Sequence, residues 1–159
     1  MHLREATAAD TEFIIRLIGD LYRDYGFEIC LEDAEADLAD IAKHFEPGSF
    51  MVLCDDNDTV RATVALTADS ERPDVAWMKR LYLDATLQGE GHADRLLEWA
   101  LGRACAIGCT RVELWSDTLF ERAHRFYTKH GFRHDGVIRH MTDSHEPYDE
   151  LLFYKEIDQ

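Results

Sequence analysis

LYLDATLQGEGHA, residues 81–93, is the segment of this 159-residue sequence with the clearest local pattern. Its first three residues end a predicted strand, a short loop follows, and a glycine-containing turn opens a predicted helix. The first turn of a helix presents unpaired N–H groups and the positive end of the helix dipole, and small residues let an anion approach the backbone. The segment therefore predicts either a site for a phosphate-bearing cofactor or a glycine turn that only reverses the chain.

Two common phosphate-binding motifs do not match this segment. Gly89-Glu90-Gly91 begins like a dinucleotide-binding fingerprint, but Asp94 stands where a third small residue belongs, and no strand–loop–helix unit opens the chain. The sequence also lacks the Gly-Lys-Ser/Thr of a phosphate-loop nucleotidase. A phosphate site here would therefore belong to another class.

Hydrophobic spacing predicts the elements on both sides of this segment. In chain order they are a short strand, helices over 8–24 and 31–45, strands over 50–54, 60–66 and 75–83, a helix over 90–107, a strand over 111–115, a helix closed by Gly131, and strands over 132–141 and 150–157. This order mixes antiparallel hairpins with strand–helix–strand units. It predicts an α+β fold, a mixed sheet with helices on both faces.

The strongly acidic composition limits the partners that we expect. The chain has 17 Lys and Arg against 32 Asp and Glu, a formal net charge of −15. Nucleic-acid binding relies on clustered cations, and an anionic membrane repels such a chain, so neither partner is expected. The charge fits a cationic substrate and equally a surface that is merely soluble. Both interpretations stay open.

Several further features place the chain in a broad class. It has no apolar run of transmembrane length and no signal-peptide core after Met1, so we expect a cytoplasmic protein. Its length fits a single domain over residues 1–159, and its cysteines, none in a CxxC pair, are typical of free thiols. His124, His130 and His134 straddle a predicted helix end, so we expect no metal site.

Two motifs together resemble those of the GNAT superfamily of N-acetyltransferases. The cofactor loop of that family reads Arg/Gln-x-x-Gly-x-Gly/Ala, and Gln88 to Ala93 fits it in order. The run from Ala123 through Phe126-Tyr127 to Gly131-Phe132 resembles the family's A-x-x-F-Y-x-x-x-G-F. The opening Leu3 to Asp10 is also similar to a common start of these proteins, so the resemblance spans nearly the whole chain.

The resemblance implies a fold, a co-substrate and binding residues. It implies a central, mostly antiparallel sheet of six to seven strands with a splayed parallel pair, and acetyl-CoA as co-substrate without a metal. The strand before the loop would bind the pantetheine arm through its backbone, and the loop amides would hold the pyrophosphate. The implied cofactor-binding residues are Leu81, Tyr82, Leu83, Gln88, Gly89, Gly91, His92 and Ala93. Arg80 and Arg95 are expected to assist.

The resemblance also implies a catalytic acid and a direct transfer in a ternary complex. Tyr127 occupies the family's tyrosine position, where the hydroxyl protonates the leaving thiolate. The alternative interpretation of Tyr127 is a core aromatic residue on an amphipathic helix. A backbone amide near Leu81 would stabilise the oxyanion. No motif identifies the general base. Asp117 is the first candidate, with Glu28 and Glu146 as alternatives.

Four questions stay open at this level. Many relatives carry an Asn that contacts the cofactor where this chain has Phe120; Ser116, Asp117 or Thr118 could replace it. The alternative function is a GNAT-fold sensor that binds acyl-CoA without turnover. The acceptor is an amine of small-molecule or peptide origin, with a small cationic amine as one candidate, and many relatives are homodimers, but no residue pattern decides either point.

Overall fold

The computed structural model describes residues 1–158, and Gln159, the last residue of the predicted domain, lies outside the described residues. The strands are β1 His2–Glu5, β2 Phe50–Cys54, β3 Val60–Ala68, β4 Val75–Leu83, β5 Arg111–Asp117, β6 Ile138–Met141 and β7 Tyr148–Glu156. The helices are α1 Thr11–Arg23, α2 Ala36–Ala39, α3 Ile41–His44, α4 His92–Ala106 and α5 Glu121–Lys129. Short 3₁₀ turns cover Ala8–Asp10 and Ala85–Leu87.

Within residues 1–158 the strands form one seven-stranded sheet in the order β1-β2-β3-β4-β5-β7-β6. All neighbouring pairs are antiparallel except β4 and β5, which run parallel. The α+β class, the strand number and the parallel pair are therefore as predicted.

The parallel pair separates after a short paired stretch. Pairing extends only from Val75 to Trp77 on β4, opposite residues 111–113 of β5. Beyond that point β4 continues to Leu83 and β5 to Asp117 without pairing to each other. Two diverging strands in the middle of a sheet leave a gap whose backbone groups have no strand partner. This is the predicted splay.

Apolar stripes bury both faces of the sheet. On one face Ile14 and Ile18 of α1 are fully buried against β2 and β3. On the other, Leu96 and Ala100 of α4 are fully buried in a larger cluster that includes β3, β4 and β5. The helical spacing of these residues explains why each helix packs on the sheet along one side. In the described part of the chain, no helix has both the length and the apolarity needed to cross a membrane.

A β-bulge interrupts the pairing of β4 with β3. Thr63 lies opposite Tyr82 and Ala65 opposite Lys79, so two residues of β4 face one residue of β3. Arg80, in the bulge, has a φ of 55°. This left-handed conformation costs a side-chain-bearing residue roughly 1–2 kcal/mol. The bulge therefore holds local strain at the start of the gap.

Two predicted elements differ from the structure. The helix expected over 31–45 is broken into α2 and α3 at Asp40, whose φ of −150° and ψ of 80° are not helical. The Asp40 carboxylate instead caps α3 by accepting a hydrogen bond from the Lys43 N–H at 3.2 Å. The strand expected over 132–141 is reduced to β6, because Gly136 adopts a φ of 77° and turns the chain.

Candidate functional site

A groove of about 1310 Å³ passes through the gap between β4 and β5. Every predicted catalytic and cofactor-binding residue lines it, and so do the alternative bases Glu28 and Glu146. The fold thus brings the two sequence motifs to one cavity, although residues 88–93 and Tyr127 are far apart in the chain. Phe120 and Ser116 also line the groove, whereas Thr118 does not.

The loop at the start of α4 has the geometry of an anion site. Gly89 and Gly91 both have a φ of 84°, which glycine adopts without strain. A Cβ built on either glycine would meet no atom within 4 Å, so the space above the loop is open. Helix α4 begins at His92, and its first N–H groups have no carbonyl partner within the helix. These amides and the helix dipole favour an anion at this mouth of the groove.

The backbone of β4 presents alternate residues to the gap. The Asp84 N–H donates to the Arg61 carbonyl on β3 at 2.9 Å. Because an antiparallel ladder alternates, the backbone groups of Tyr82 also face β3, and those of Leu81 and Leu83 face the gap. The Tyr82 hydroxyl lies 2.9 Å from that of Tyr22. Leu81 and Leu83 are therefore placed to bind an extended ligand through their backbone.

Tyr127 is at once a core residue and a groove residue. Its side chain is only 7% exposed, and the ring centroid of Phe153 lies 5.5 Å away. Burial raises the pKa of Tyr127, and Tyr82 raises it further. The hydroxyl therefore keeps its proton at neutral pH and can act as a hydrogen-bond donor or an acid.

Asp117 lies at the end of β5, where the gap is wide. It is 7% exposed, and its Oδ1 accepts a hydrogen bond from the Leu119 N–H at 2.8 Å. Burial raises the pKa of Asp117; the Leu119 N–H opposes this, and Asp149 adds to the rise. A carboxylate with a raised pKa is a better proton acceptor than an exposed one.

A second buried carboxylate, that of Glu35, was missed by the sequence reasoning. Glu35 lines the groove and is 4% exposed, and its Oε1 accepts from the Cys30 N–H at 3.3 Å. Burial raises the pKa of Glu35, with the Cys30 N–H and Arg80 opposing the rise. No local signal distinguishes it, because it lies in a run of acidic residues whose other members are more exposed.

Helix α5 also contributes cations to the groove that the sequence reasoning missed. Arg122, Arg125 and Lys129 of α5 line the groove, and in the described structure none of them has a carboxylate within 4.0 Å. Their spacing of three and four residues places them on one helix face, a signal that was available.

The two arginines expected to assist the cofactor both bind other groups of the protein. Arg95 donates to the Met1 carbonyl at 3.0 Å and is not among the groove residues. Arg80 lines the groove but pairs with Asp37 at 2.6 Å. Neither side chain is therefore free to contact a phosphate group in this arrangement.

An aromatic wall occupies the position where relatives have an Asn. Phe120 contacts Tyr25, with ring centroids 4.7 Å apart, and Phe27 at 6.1 Å. Tyr22 lies 6.4 Å from Phe120. All four rings line the groove. The amide contact expected in relatives is thus replaced by an apolar surface between α1 and α5.

A group of possible metal ligands lies away from the groove. Across residues 1–158, one cluster has ligand atoms close enough to hold an ion, and it consists of His2, Cys54 and Asp58. It lies on the β1–β2 side of the sheet, outside the groove, and Arg4 donates to Asp58 at 3.0 Å there. Burial raises the pKa of the Cys54 thiol to about 11.

Comparisons with known proteins agree with this geometry. Residues 15–132 match the family model described as the acetyltransferase (GNAT) family. A search of curated proteins found no match to this sequence. Among solved structures, a GNAT acetyltransferase of Staphylococcus aureus Mu50 is 18% identical, covers 99% of both chains and has a TM-score of 0.81.

Two further solved structures are similar. Ard1 of Thermoplasma volcanium is 19% identical, with 99% of this chain and 98% of that chain covered and a TM-score of 0.79. A phosphinothricin acetyltransferase of Sinorhizobium meliloti, solved in complex with acetyl-CoA, is 20% identical, with coverage of 98% and 88% and a TM-score of 0.74. At these identities the likeness concerns the fold.

Proposed function

Because this chain belongs to the GNAT family of acetyltransferases, we propose that it transfers the acetyl group of acetyl-CoA to a primary amine by direct attack in a ternary complex. One observation carries the proposal: a single groove connects the glycine loop, the open edge of β4, Tyr127 and two buried carboxylates. Such a groove lets a thioester and an amine meet in the gap between β4 and β5. Proximity of this kind supplies a large part of the rate of a two-substrate reaction.

Acetyl-CoA would lie along the glycine loop and the gap edge of β4. The N–H groups at residues 88–93 bind the pyrophosphate, and the backbone groups of Leu81 and Leu83 bind the pantetheine arm. The backbone of Tyr82 faces β3, so its predicted backbone contact is not part of this proposal. The three cations of α5 that line the groove attract the phosphate groups of acetyl-CoA, although the protein as a whole is acidic.

The reaction needs an electrophile, an oxyanion donor and an acid. The amine nitrogen attacks the thioester carbonyl carbon, and the Leu81 N–H stabilises the oxyanion that forms. As the tetrahedral intermediate collapses, the C–S bond breaks and the electrons go to sulfur. Tyr127 donates its proton to the leaving thiolate, and the proton that the attacking nitrogen loses restores the Tyr127 hydroxyl. The products are the N-acetyl amine and CoA.

The general base is Asp117 or Glu35. At neutral pH an alkylamine is mostly protonated, and it must lose a proton to attack. Both carboxylates are buried in the groove with a raised pKa, whereas Glu28 and Glu146 are exposed. Asp117→Asn and Glu35→Gln separate the two, because only the base variant should abolish the acid limb of the pH profile of kcat/KM.

The acceptor half of the groove favours a small cationic amine. Asp117, Glu35, Glu28 and Glu146 face it, while the cation of Arg80 is neutralised by its Asp37 partner. Likewise Arg139 is paired with Glu150 at 2.6 Å. Lys79 is the opposing charge in this half, and burial lowers the pKa of its ammonium. The aromatic wall adds faces that attract an ammonium group.

A thiol-release assay tests the proposal. Acetyl-CoA is held constant and the protein is offered polyamines, monoamines, amino acids, aminoglycosides and short peptides at low and high salt. We expect small cationic amines to react fastest and to lose their advantage as salt screens the groove. If calorimetry shows acetyl-CoA binding but no amine releases thiol, the chain is a non-catalytic acyl-CoA sensor. If no CoA ester binds, neither function holds.

A further inference from the structure

Arg80 occupies a backbone position that glycine usually fills. It lies in the β4 bulge with a φ of 55°, and such bulge positions in left-handed conformation favour glycine. A residue with a long side chain at this position strains the backbone. The strain persists only if the surroundings hold it, so the contacts of the Arg80 side chain are the relevant observation.

The guanidinium of Arg80 forms a fork with the carboxylate of Asp37. Arg80 Nε donates to Asp37 Oδ2 at 3.0 Å, and Nη2 donates to Oδ1 at 2.6 Å. Nη2 also donates to the Ala34 carbonyl at 3.1 Å. The two side chains are only 15% and 20% exposed, so water screens the pair weakly. We call this set of contacts the Arg80 clamp.

The clamp acts on the backbone that borders the gap. The Arg80 carbonyl accepts a hydrogen bond from Thr63 Oγ1 at 2.6 Å, which holds the bulge from the β3 side. The next residue, Leu81, turns its backbone into the gap. The bulge is thus held by Thr63 on one side and by Asp37 on the other. Residues 34–37 also line the acceptor half of the groove.

We infer that Arg80 is a positioning residue: its clamp to Asp37 holds the β4 bulge in the strained conformation that aims the Leu81 N–H at the thioester carbonyl. This inference rests on the proposed function. Arg80 itself touches neither substrate in this scheme. The clamp also joins the acceptor wall to the oxyanion donor, so movement of residues 34–37 is transmitted to the reacting centre.

Three substitutions remove the clamp in different ways. Arg80→Ala keeps the strained φ but loses the side chain, Arg80→Lys keeps the charge but loses the fork, and Asp37→Asn keeps the shape but loses the charge. Misplacing one oxyanion donor should lower kcat by about 10- to 100-fold in each variant. The Kd for acetyl-CoA should stay within about twofold, because the phosphate and pantetheine contacts remain.

A matched control is available in the same sheet. Arg72 forms a similar fork with the buried Glu113, at 2.8 and 3.1 Å, and lies outside the groove. Arg72→Lys should lower thermal stability without changing kcat. If Arg80→Ala or Arg80→Lys keeps kcat within about twofold of the wild-type value, or if Arg72→Lys lowers kcat equally, the positioning role is refuted.

A second readout does not depend on turnover. Bound acetyl-CoA labelled with ¹³C at the acetyl carbonyl reports its hydrogen bonding through the carbonyl stretching frequency. We expect a downshift in the wild-type protein and a return toward the free value in the Arg80 variants. If the wild-type protein releases no thiol with any amine but the Arg80 variants still lose the carbonyl downshift, the proposed transfer is wrong and the clamp is supported. An unshifted wild-type carbonyl, or a shift that survives Arg80→Ala, overturns the clamp.

Discussion

Gly91→Ala is the substitution that most directly tests the glycine loop. Gly91 precedes α4 with a φ of 84° and lines the groove. In the unliganded protein an added Cβ meets no atom within 4 Å, so it clashes with nothing. The substitution therefore has two separable effects: backbone strain in the free protein and obstruction of the anion site in the complex.

Both effects have a predictable size. Left-handed alanine costs roughly 1–2 kcal/mol, and each kcal/mol lowers the melting temperature of a chain of this length by about 2–4 °C, so we expect a loss of roughly 2–8 °C. If the Cβ or a changed φ displaces a phosphate from a backbone N–H, a charge-assisted hydrogen bond worth about 1.5–3 kcal/mol is lost. The Kd for acetyl-CoA should then rise by roughly 10- to 100-fold.

Gly102→Ala is the matched control because it changes a glycine inside the same helix. Gly102 lies within α4, and an added Cβ again meets no atom within 4 Å. Alanine in a helix interior is favoured over glycine by roughly 0.5–1 kcal/mol, so this variant should melt at a slightly higher temperature. Its affinity for acetyl-CoA should match that of the wild-type protein.

Scanning calorimetry measures the melting temperatures, and titration calorimetry measures the Kd for acetyl-CoA. The reasoning is refuted if Gly91→Ala melts lower but binds acetyl-CoA with wild-type affinity, because the loop would then be a structural turn only. It is also refuted if Gly102→Ala weakens binding as much as Gly91→Ala does. In that case the loss would report a general change in α4 rather than the anion site.

Three other predictions concern the acid, the cofactor charges and the acid stability. Tyr127→Phe should lower kcat by about 100-fold and leave the acetyl-CoA Kd within about twofold of the wild-type value. The control Tyr154→Phe removes a hydroxyl that is bound to Asp135 outside the groove, and it should leave kcat unchanged. If the two variants have equal kcat values, Tyr127 is a core aromatic only. Arg125→Ala should weaken acetyl-CoA binding in titrations at low salt and much less at high salt, and a salt-independent loss would contradict electrostatic attraction. The hydrogen bond from Arg4 lowers the pKa of Asp10. The charged Asp10 therefore stabilises the folded protein fully above its unfolded-state pKa near 4, and this stabilisation is lost as pH falls through the lower folded-state pKa. Asp10→Asn removes the contribution, so its melting temperature, measured from pH 2.5 to 7, should depend less on pH in the acid range.

The residues that could be interpreted from the sequence are those whose conformation depends on near neighbours. Gly89 and Gly91 are predictable because a left-handed turn before a helix needs residues without a Cβ. The core faces of α1 and α4 are predictable because a helix repeats every 3.6 residues. The strand pairs around β3 follow from short hairpin connections, and the family motifs identify the fold that joins them.

The site's electrostatics depend on contacts between distant segments, and sequence spacing carries little information about those. In the sequence Glu35 is indistinguishable from the other acids of its segment, and only tertiary packing buries it. Arg80 binds Asp37 only because the fold brings β4 into contact with residues 34–37. The break at Asp40 is likewise invisible to a helical pattern that continues across it.

The sequence alone therefore determined that this chain has a glycine loop before α4, two apolar helix faces and a tyrosine motif, because these features are local. The tertiary structure decided which carboxylates are buried, which cations of the described chain line the groove without a carboxylate partner, and which arginine of β4 pairs with Asp37. Those properties arise from burial and distance between remote residues, and burial and distance set the pKa and the strength of each charge interaction.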